Sequence, residues 1–359
     1  MSKQGPDVPK AGKTVSLKML GEYLGLNPGT VSFVLNDTPN RSIPEATRQR
    51  VREAAAKFGY EPSHIARSLR SKKTQTLGIL LPEMGDGYHS QVLNGMAEVL
   101  MRENYFFFTA HHRHRRDLVH TYPKLLHARG AEGLLTIDTR LEETPAVPTV
   151  CVANHVALPN VTSVILDEGA AARASLKHLY ALGHRRIVFM RGQSFSSDSD
   201  TRWEATLRAA DELGIPVRKR LTIRLEKDLI TPELGYPDMK ELLERTRDFT
   251  AVLCFNDISA MGVIRSLTDA GLRVPNDCSV VGFDDIPASE YQIPRLTTVR
   301  QPLQRLGHEA ASALLRKLAG ESVPELVCLE PSLIVRESTA VAPSKAKQPN
   351  KRLSQLDVG

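Results

Sequence analysis

Four polar side chains, Tyr88, Arg202, Asn256 and Asp284, stand beside segments that read as strand ends. In open parallel sheets that is where ligands bind. Arg202, in SDTRWEATL, offers a rigid fork of donors suited to sugar hydroxyls or a carboxylate. Asn256, in CFNDIS, both donates and accepts, and Asp284, in GFDD, accepts from paired hydroxyls. Tyr88 can stack on a ring face. Singly, each could cap a strand or close a loop; together they predict a binding cleft. The run HHRHRRD (His111 to Asp117) lacks the i,i+4 register with a carboxylate that a metal site needs. It reads as a solvated or cleft-rim loop. GILLPEMGDG does not fit the dinucleotide pattern, and no nucleophile elbow or paired general base is visible. No catalytic residue, metal or cofactor is expected.

A second constellation lies near the N-terminus, in VSLKMLGEYLGLNPGTVSFVLN (Val15 to Asn36). Leu17, Leu20 and Leu24 recur at helical spacing, and Gly25 supplies a left-handed stop. Asn27 can cap the next helix, whose first position suits Pro28. Val31, Val34 and Leu35 face inward there, leaving Gly29, Thr30, Ser32, Phe33 and Asn36 to look outward. Two helices crossed by a short glycine turn form a helix-turn-helix. A third helix is expected from Pro44 to Phe58, with Val51, Ala55 and Phe58 inward and Gly59 ending it.

Charge agrees with a polyanion partner. Residues 1–76 hold 13 of the 47 lysines and arginines but only 6 of the 41 acidic residues, so the rest of the 359-residue chain is close to neutral. A solvated basic face without a ligand is the plainer alternative. No apolar run is long enough to cross a bilayer, and the polar start MSKQGPDVPKAGK resembles no secretory signal, so a cytoplasmic location is expected. Cys151, Cys254, Cys278 and Cys328 show neither metal spacing nor a disulfide framework and read as buried free thiols of a reducing compartment.

From Leu77 the pattern alternates strand and helix. LGILLPE, YFFFTAH, EGLLTID, PTVCVAN and TSVILD form one strand series; RRIVFMRG, LTIRLEK, AVLCFND and CSVVGFDD form another. Helical runs such as SQVLNGMAEVLMREN and WEATLRAADELG lie between them. Two such series imply two doubly wound lobes with parallel sheets.

The runs TVSFVLN, EATRQRVREAAAKFGYEPSHIARSLRSKKTQTLGILLPE and RVPNDCSVVGFDDIPASEYQIPRLTTVRQP resemble the LacI/GalR (lactose/purine repressor) family of transcription regulators across nearly the whole chain. The resemblance implies an α/β fold: an N-terminal helix-turn-helix three-helix head plus hinge helix, joined to a two-lobed periplasmic-binding-protein-like domain of doubly wound parallel sheets. It divides the chain into a disordered arm (1–13), a DNA-binding domain (14–61), hinge helix and linker (62–76), an effector-binding and dimerisation domain (77–340) and a disordered tail (341–359). Lobe 1 would span about 77–165 plus 298–325, and lobe 2 about 166–297 plus 326–340, with three crossings between them. Family contacts fall on Leu17, Asn27, Gly29, Thr30, Ser32, Phe33, Asn36 and Tyr60 in the head. In the hinge they fall on Ser63, His64, Ala66, Arg67 and Leu69, with Leu69 as the minor-groove wedge.

The effector would touch Tyr88, Asn154, Arg202, Asn256 and Asp284. Three departures from the family bear on this reading. Ala153 and Asn154 follow the strand PTVCV where an aspartate is common. Phe33 replaces a common base-reading arginine, and NDTPNRSIP is about two residues longer than the family's loop. Implied partners are a pseudo-palindromic double-stranded operator, a small-molecule effector of carbohydrate type and a second copy of the chain, with no membrane. A solute-binding protein of the transport class shares the two lobes, but not the basic head; an enzyme would need the base–nucleophile pair that is missing.

Overall fold

The computed structural model describes residues 15–38, 40–60, 73–85, 87–153 and 157–344. The chain divides into two compact units, 1–74 and 75–359. Among the described residues the first unit holds three helices: α1 (Leu17–Leu24), α2 (Pro28–Leu35) and α3 (Glu45–Phe58). The Ser16 hydroxyl caps α1 by accepting from the Met19 N–H, and Gly25 ends that helix at φ 66°, a conformation a side chain would strain. The Asn27 side-chain Oδ1 takes the Gly29 N–H at 2.8 Å, with Pro28 at the first helical position, as the sequence predicts. Leu20, Val31, Val34, Val51, Ala54 and Ala55 make the buried centre, with Leu17, Leu24, Leu35 and Phe58 packed around it. Gly59 ends α3 at φ 61°.

In the second unit the strands are β1 (Thr76–Leu81), β2 (Phe106–His111), β3 (Leu134–Ile137), β4 (Thr149–Val152), β5 (Val161–Leu166), β6 (Ile187–Arg191), β7 (Thr222–Arg224), β8 (Ala251–Leu253), β9 (Ser279–Asp284), β10 (Thr297–Arg300), β11 (Leu326–Leu329) and β12 (Ser332–Ile334). The helices are α4 (Tyr88–Arg102), α5 (Arg116–Ala128), α6 (Glu168–Ala181), α7 (Ser199–Glu212), α8 (Tyr236–Arg245), α9 (Asp257–Asp269), α10 (Ala288–Tyr291) and α11 (Leu303–Leu318). The strands form two six-stranded sheets, ordered β11-β5-β4-β3-β1-β2 and β12-β10-β9-β8-β6-β7. Every pairing is parallel except β12 against β10. Central strands are buried on both faces, which is why they read as unbroken apolar runs rather than alternating ones.

The chain passes between sheets three times, after β5, after β10 and after β11, but two expected lobe boundaries are wrong. Residues 298–300 belong to the second lobe, because Thr298 pairs with Gly282 of β9 and Ile334 of β12. Residues 326–329 belong to the first, because Val327 pairs with Val164 of β5. Around the last two crossings the order along the chain no longer announces which sheet accepts a strand; hydrogen-bond partners decide.

Lobe 1 is closed by α11 lying against α4. Their backbones approach so closely that a Cβ on Gly95 would sit 1.9 Å from the Gln304 carbonyl oxygen, and one on Gly307 2.0 Å from that of Val92. The segment at Ala340 is tied to lobe 2 by His184, fully buried between the Thr250 hydroxyl and the Ala340 carbonyl, each at 2.9 Å. The expected tail boundary at 341 is also too early: Ala342 N–H still donates to the Leu182 carbonyl at 2.8 Å. The expected arm 1–13 and the tail beyond 344 lie outside the described residues. Cys151, Cys254 and Cys278 are buried as expected, but Cys328 is exposed, because β11 is the edge strand of its sheet. No helix among the described residues is long and apolar enough to cross a membrane.

Candidate functional site

The carboxyl ends of both sheets face one cleft. Its lining includes Glu83, Tyr88, His89, His114 and Asp138 from lobe 1 and Gln193, Asp198, Arg202, Asn256 and Asp284 from lobe 2. The open space is about 110 Å³. Tyr88, Arg202, Asn256 and Asp284 are thus brought together. Asn154 lies outside the described residues.

Arg202 does not stand at a strand end; it sits in the first turn of α7, and it is buried. Its Nε donates to Glu168 Oε2 at 3.1 Å, its Nη2 to Glu168 Oε1 at 3.1 Å and to Asp198 Oδ2 at 3.4 Å, and its Nη1 to the Phe255 carbonyl at 3.1 Å. The guanidinium also lies 3.7 Å from the Phe283 ring centroid. Burial works against its charge, but Glu168 and then Asp198 outweigh that and hold its pKa above the ordinary value. The fork expected to grip a ligand carboxylate is therefore occupied by Glu168.

The other three predicted groups have mixed duties. Asp284 closes β9 at φ 115° and Asp285 follows at φ 56°, two consecutive non-glycine residues in strained backbone, a feature that clusters at ligand sites. Asp284 Oδ1 accepts from Gln301 Nε2 at 2.7 Å, and burial pushes its carboxyl well above the usual range even with Arg202 nearby. Asn256 caps α9, its Oδ1 taking the Ser259 N–H at 2.9 Å, so both the capping and the lining readings hold. Tyr88 opens α4, after the loop that follows β1. Its hydroxyl is buried in the cleft wall without a hydrogen-bond partner among the described residues.

Sequence reasoning missed Asp138, Glu168 and Asp198, while its cleft-rim reading of HHRHRRD holds at His114. Asp138 ends the run EGLLTID, so the strand-end rule that found Asp284 would have found it as well. Its carboxylate accepts from the Ser197 N–H and hydroxyl of lobe 2. Burial pushes Asp138 up, but the nearby His89 ring and the Ser197 bonds outweigh it and hold the carboxyl well below the usual range. His89 Nε2 lies 3.7 Å from Asp138 Oδ2, an ion-pair distance and too long for a hydrogen bond. His114, from HHRHRRD, reaches the cleft with its Nε2 3.7 Å from Asp228 and its ring 4.3 Å from that of Phe195. His112 is buried beneath it. Among the described residues no group of three His, Cys, Asp or Glu is placed to hold a metal ion. Glu168 has no local cue: its role depends on α6 and α7 packing together.

In the first unit, Gly29, Thr30, Ser32 and Phe33 lie half-exposed on α2. Asn36 turns back, its Nδ2 donating to the Ser32 carbonyl at 2.7 Å. Leu17 and Tyr60 pack against the apolar centre, and the exposed Asn27 serves as a cap. The Arg41 guanidinium, from the long loop, sits 4.4 Å from the Phe33 ring centroid. Ser63, His64, Ala66, Arg67 and Leu69 lie outside the described residues.

Residues 176–339 match the family described as a periplasmic binding protein-like domain. The HTH-type transcriptional repressor PurR of Haemophilus influenzae is 29% identical over 334 residues, covering 90% of this chain and 98% of that protein. PurR of Yersinia pestis bv. Antiqua is 30% identical over 338 residues, covering 91% and 98%. Among solved structures, the Lac repressor dimer bound to operator and the anti-inducer ONPF matches with a TM-score of 0.81 and 27% identity, over 91% of this chain and 100% of that one. The complex of the transcriptional regulator CelR with cellobiose matches with a TM-score of 0.67 and 27% identity, over 90% and 99%.

Proposed function

The chain belongs to the LacI/GalR (lactose/purine repressor) family of transcriptional regulators, and we propose that a small molecule in its cleft sets its affinity for an operator. The DNA partner is a double-stranded, pseudo-palindromic operator read by a homodimer, since a two-fold assembly presents two equivalent helix-turn-helix units. The second helix, with Gly29, Thr30, Ser32 and Phe33, faces the major groove. Phosphate contacts come from the basic residues of 1–76. Leu69 and Ala66, assigned on sequence alone, supply the wedge. Such a protein works on the chromosome, so a cytoplasmic, nucleoid-associated location goes with this reading.

One observation carries the control mechanism. Polar groups from both lobes converge on a single cleft, so a ligand there touches both lobes at once. A molecule that does so binds one lobe arrangement better than another, and by linkage it biases whichever arrangement suits DNA. The effector is of carbohydrate type, matched to Tyr88, Asp138, Asn256 and Asp284. No covalent step is assigned to any of these groups. The basic three-helix unit favours this reading over a transport-class solute-binding protein.

The test is a gel-shift selection from random-sequence duplexes with the full chain, followed by titration of the selected operator across a carbohydrate panel. Binding should weaken steeply with salt as phosphate contacts release counterions. A chain that retains no duplex, or an operator affinity that no cleft ligand alters, would sink the reading.

A further inference from the structure

Among the described residues Arg202 is the one arginine or lysine in the cleft lining, and most of its donors are already engaged. A guanidinium has five N–H donors. Glu168, Asp198 and the Phe255 carbonyl take four of Arg202's, leaving one on Nη1 for any ligand. Its charge is matched by the buried Glu168 carboxylate before any ligand arrives. The other charged-type side chains of the lining, histidines apart, are all acids, Glu83, Asp138, Asp198, Asp228 and Asp284, set among apolar groups such as Phe195, Ile230 and Phe255. The two cleft histidines do not reverse this balance, because His89 lies beside Asp138 and His114 beside Asp228.

From this geometry we infer that the effector is a single-ring polyol carrying no negative charge, and that Glu168 is the residue that excludes acidic analogues. The inference rests on the repressor reading above and narrows it. Carboxylates accept hydrogen bonds, so their natural complement is a molecule rich in hydroxyl donors. The Tyr88 hydroxyl, buried without a partner among the described residues, adds a group that can either donate or accept. A phosphate or uronate would meet repulsion from Asp138 and Asp198, and it would find no guanidinium fork to hold it. Size sets an upper limit: the cleft offers about 110 Å³, less than the roughly 150 Å³ of a cavity that holds one benzene ring, so a second ring has no room.

The experiment uses the full chain and matched pairs of small molecules: glucose with glucuronate and glucose 6-phosphate, galactose with galacturonate, ribose with ribose 5-phosphate, and myo-inositol. Isothermal titration should find at least one neutral member that binds, with its acidic counterpart at least tenfold weaker. In Glu168→Gln the Arg202 charge loses its closer partner and keeps Asp198 at 3.4 Å, with the side-chain shape unchanged, and that ratio should narrow by tenfold or more. If this variant does not fold, the wild-type ratio alone decides. An acid that binds more tightly than its neutral parent overturns the inference; if it also alters operator affinity, ligand control of DNA binding still stands. A panel in which no neutral polyol binds overturns it too.

Discussion

Asp138 and Ser197 join the two lobes: Asp138 Oδ1 accepts from the Ser197 backbone N–H at 2.8 Å and from its hydroxyl at 2.7 Å. The same hydroxyl lies against the Ala153 carbonyl of lobe 1. Arg140 of lobe 1 and Asp200 of lobe 2 add an ion pair at 3.5 Å nearby, exposed enough to contribute little. The clasp makes closure of the cleft depend on a residue that does not line it.

Ser197→Ala removes the hydroxyl bond and keeps the backbone one. A hydrogen bond to a charged acceptor contributes about 1.5–3 kcal/mol. The variant should therefore bind the effector on the order of ten times more weakly, because the closed arrangement loses part of its support. Titration calorimetry against wild type decides this, and an unchanged dissociation constant would mean that the clasp does not report on closure.

The buried pair Arg202 and Glu168 predicts strong non-additivity. Removing Arg202 takes the guanidinium from a buried carboxylate, at a cost of about 3–5 kcal/mol, whereas removing Glu168 leaves Arg202 its Asp198 contact at 3.4 Å. Arg202→Leu should lower the stability of the second unit by that order and Glu168→Leu by less. The double variant should lose clearly less than the sum. Urea unfolding of the four proteins gives the coupling energy, and additive losses would contradict a compensated pair.

How far the sequence shows this site depends on where each residue sits. Asp284 and Asn256 follow apolar runs directly, and the ends of buried parallel strands mark ligand positions whatever the tertiary detail. Arg202 was legible as a cleft residue, but not its state, since Glu168 reaches it only once α6 and α7 pack. The strands β1 to β9 were legible from their apolar runs. The strands β10 to β12 were not assignable, because around the last two crossings chain order no longer tells which sheet a strand joins.

His112 gives a pH dependence. Its Nδ1 accepts the His114 N–H at 3.1 Å, while its Nε2 lies 3.0 Å from the Thr139 hydroxyl. That hydroxyl donates to the Ile137 carbonyl at 2.8 Å, so Nε2 must be the donor toward it and the ring is neutral. Burial, and then His114, lower the His112 pKa from 6.5 to about 4. The folded state therefore binds fewer protons than the unfolded one, and stability present above pH 6.5 is lost as pH falls toward 4. His112→Asn should be less stable at pH 7.5 but decline less steeply between pH 6.5 and 4. Parallel slopes in the two proteins would rule His112 out as the source.

The last prediction concerns which part of the head reads the operator. Phe33 stands where a base-reading arginine is common in the family, yet Arg41 lays a guanidinium 4.4 Å from its ring. Arg41 comes from the lengthened loop between α2 and α3, whose shape is held by Arg48 Nη2 donating to the Arg41 carbonyl at 3.2 Å. A loop arginine beside the second helix suits the phosphate backbone, which sets affinity without selecting sequence. Arg41→Ala should weaken binding to all operators by a similar factor and reduce the salt slope by about one. Leu69→Ala should act differently. Opening a base step costs a few kcal/mol, least at flexible pyrimidine–purine steps, so a wedge selects the centre of the site. That variant should stop distinguishing an operator with a central pyrimidine–purine step from one without it. Both variants are measured on both operators across a salt series. If Leu69→Ala still discriminates as wild type does while Arg41→Ala does not, sequence is read from the second helix and its loop, and the wedge assignment falls.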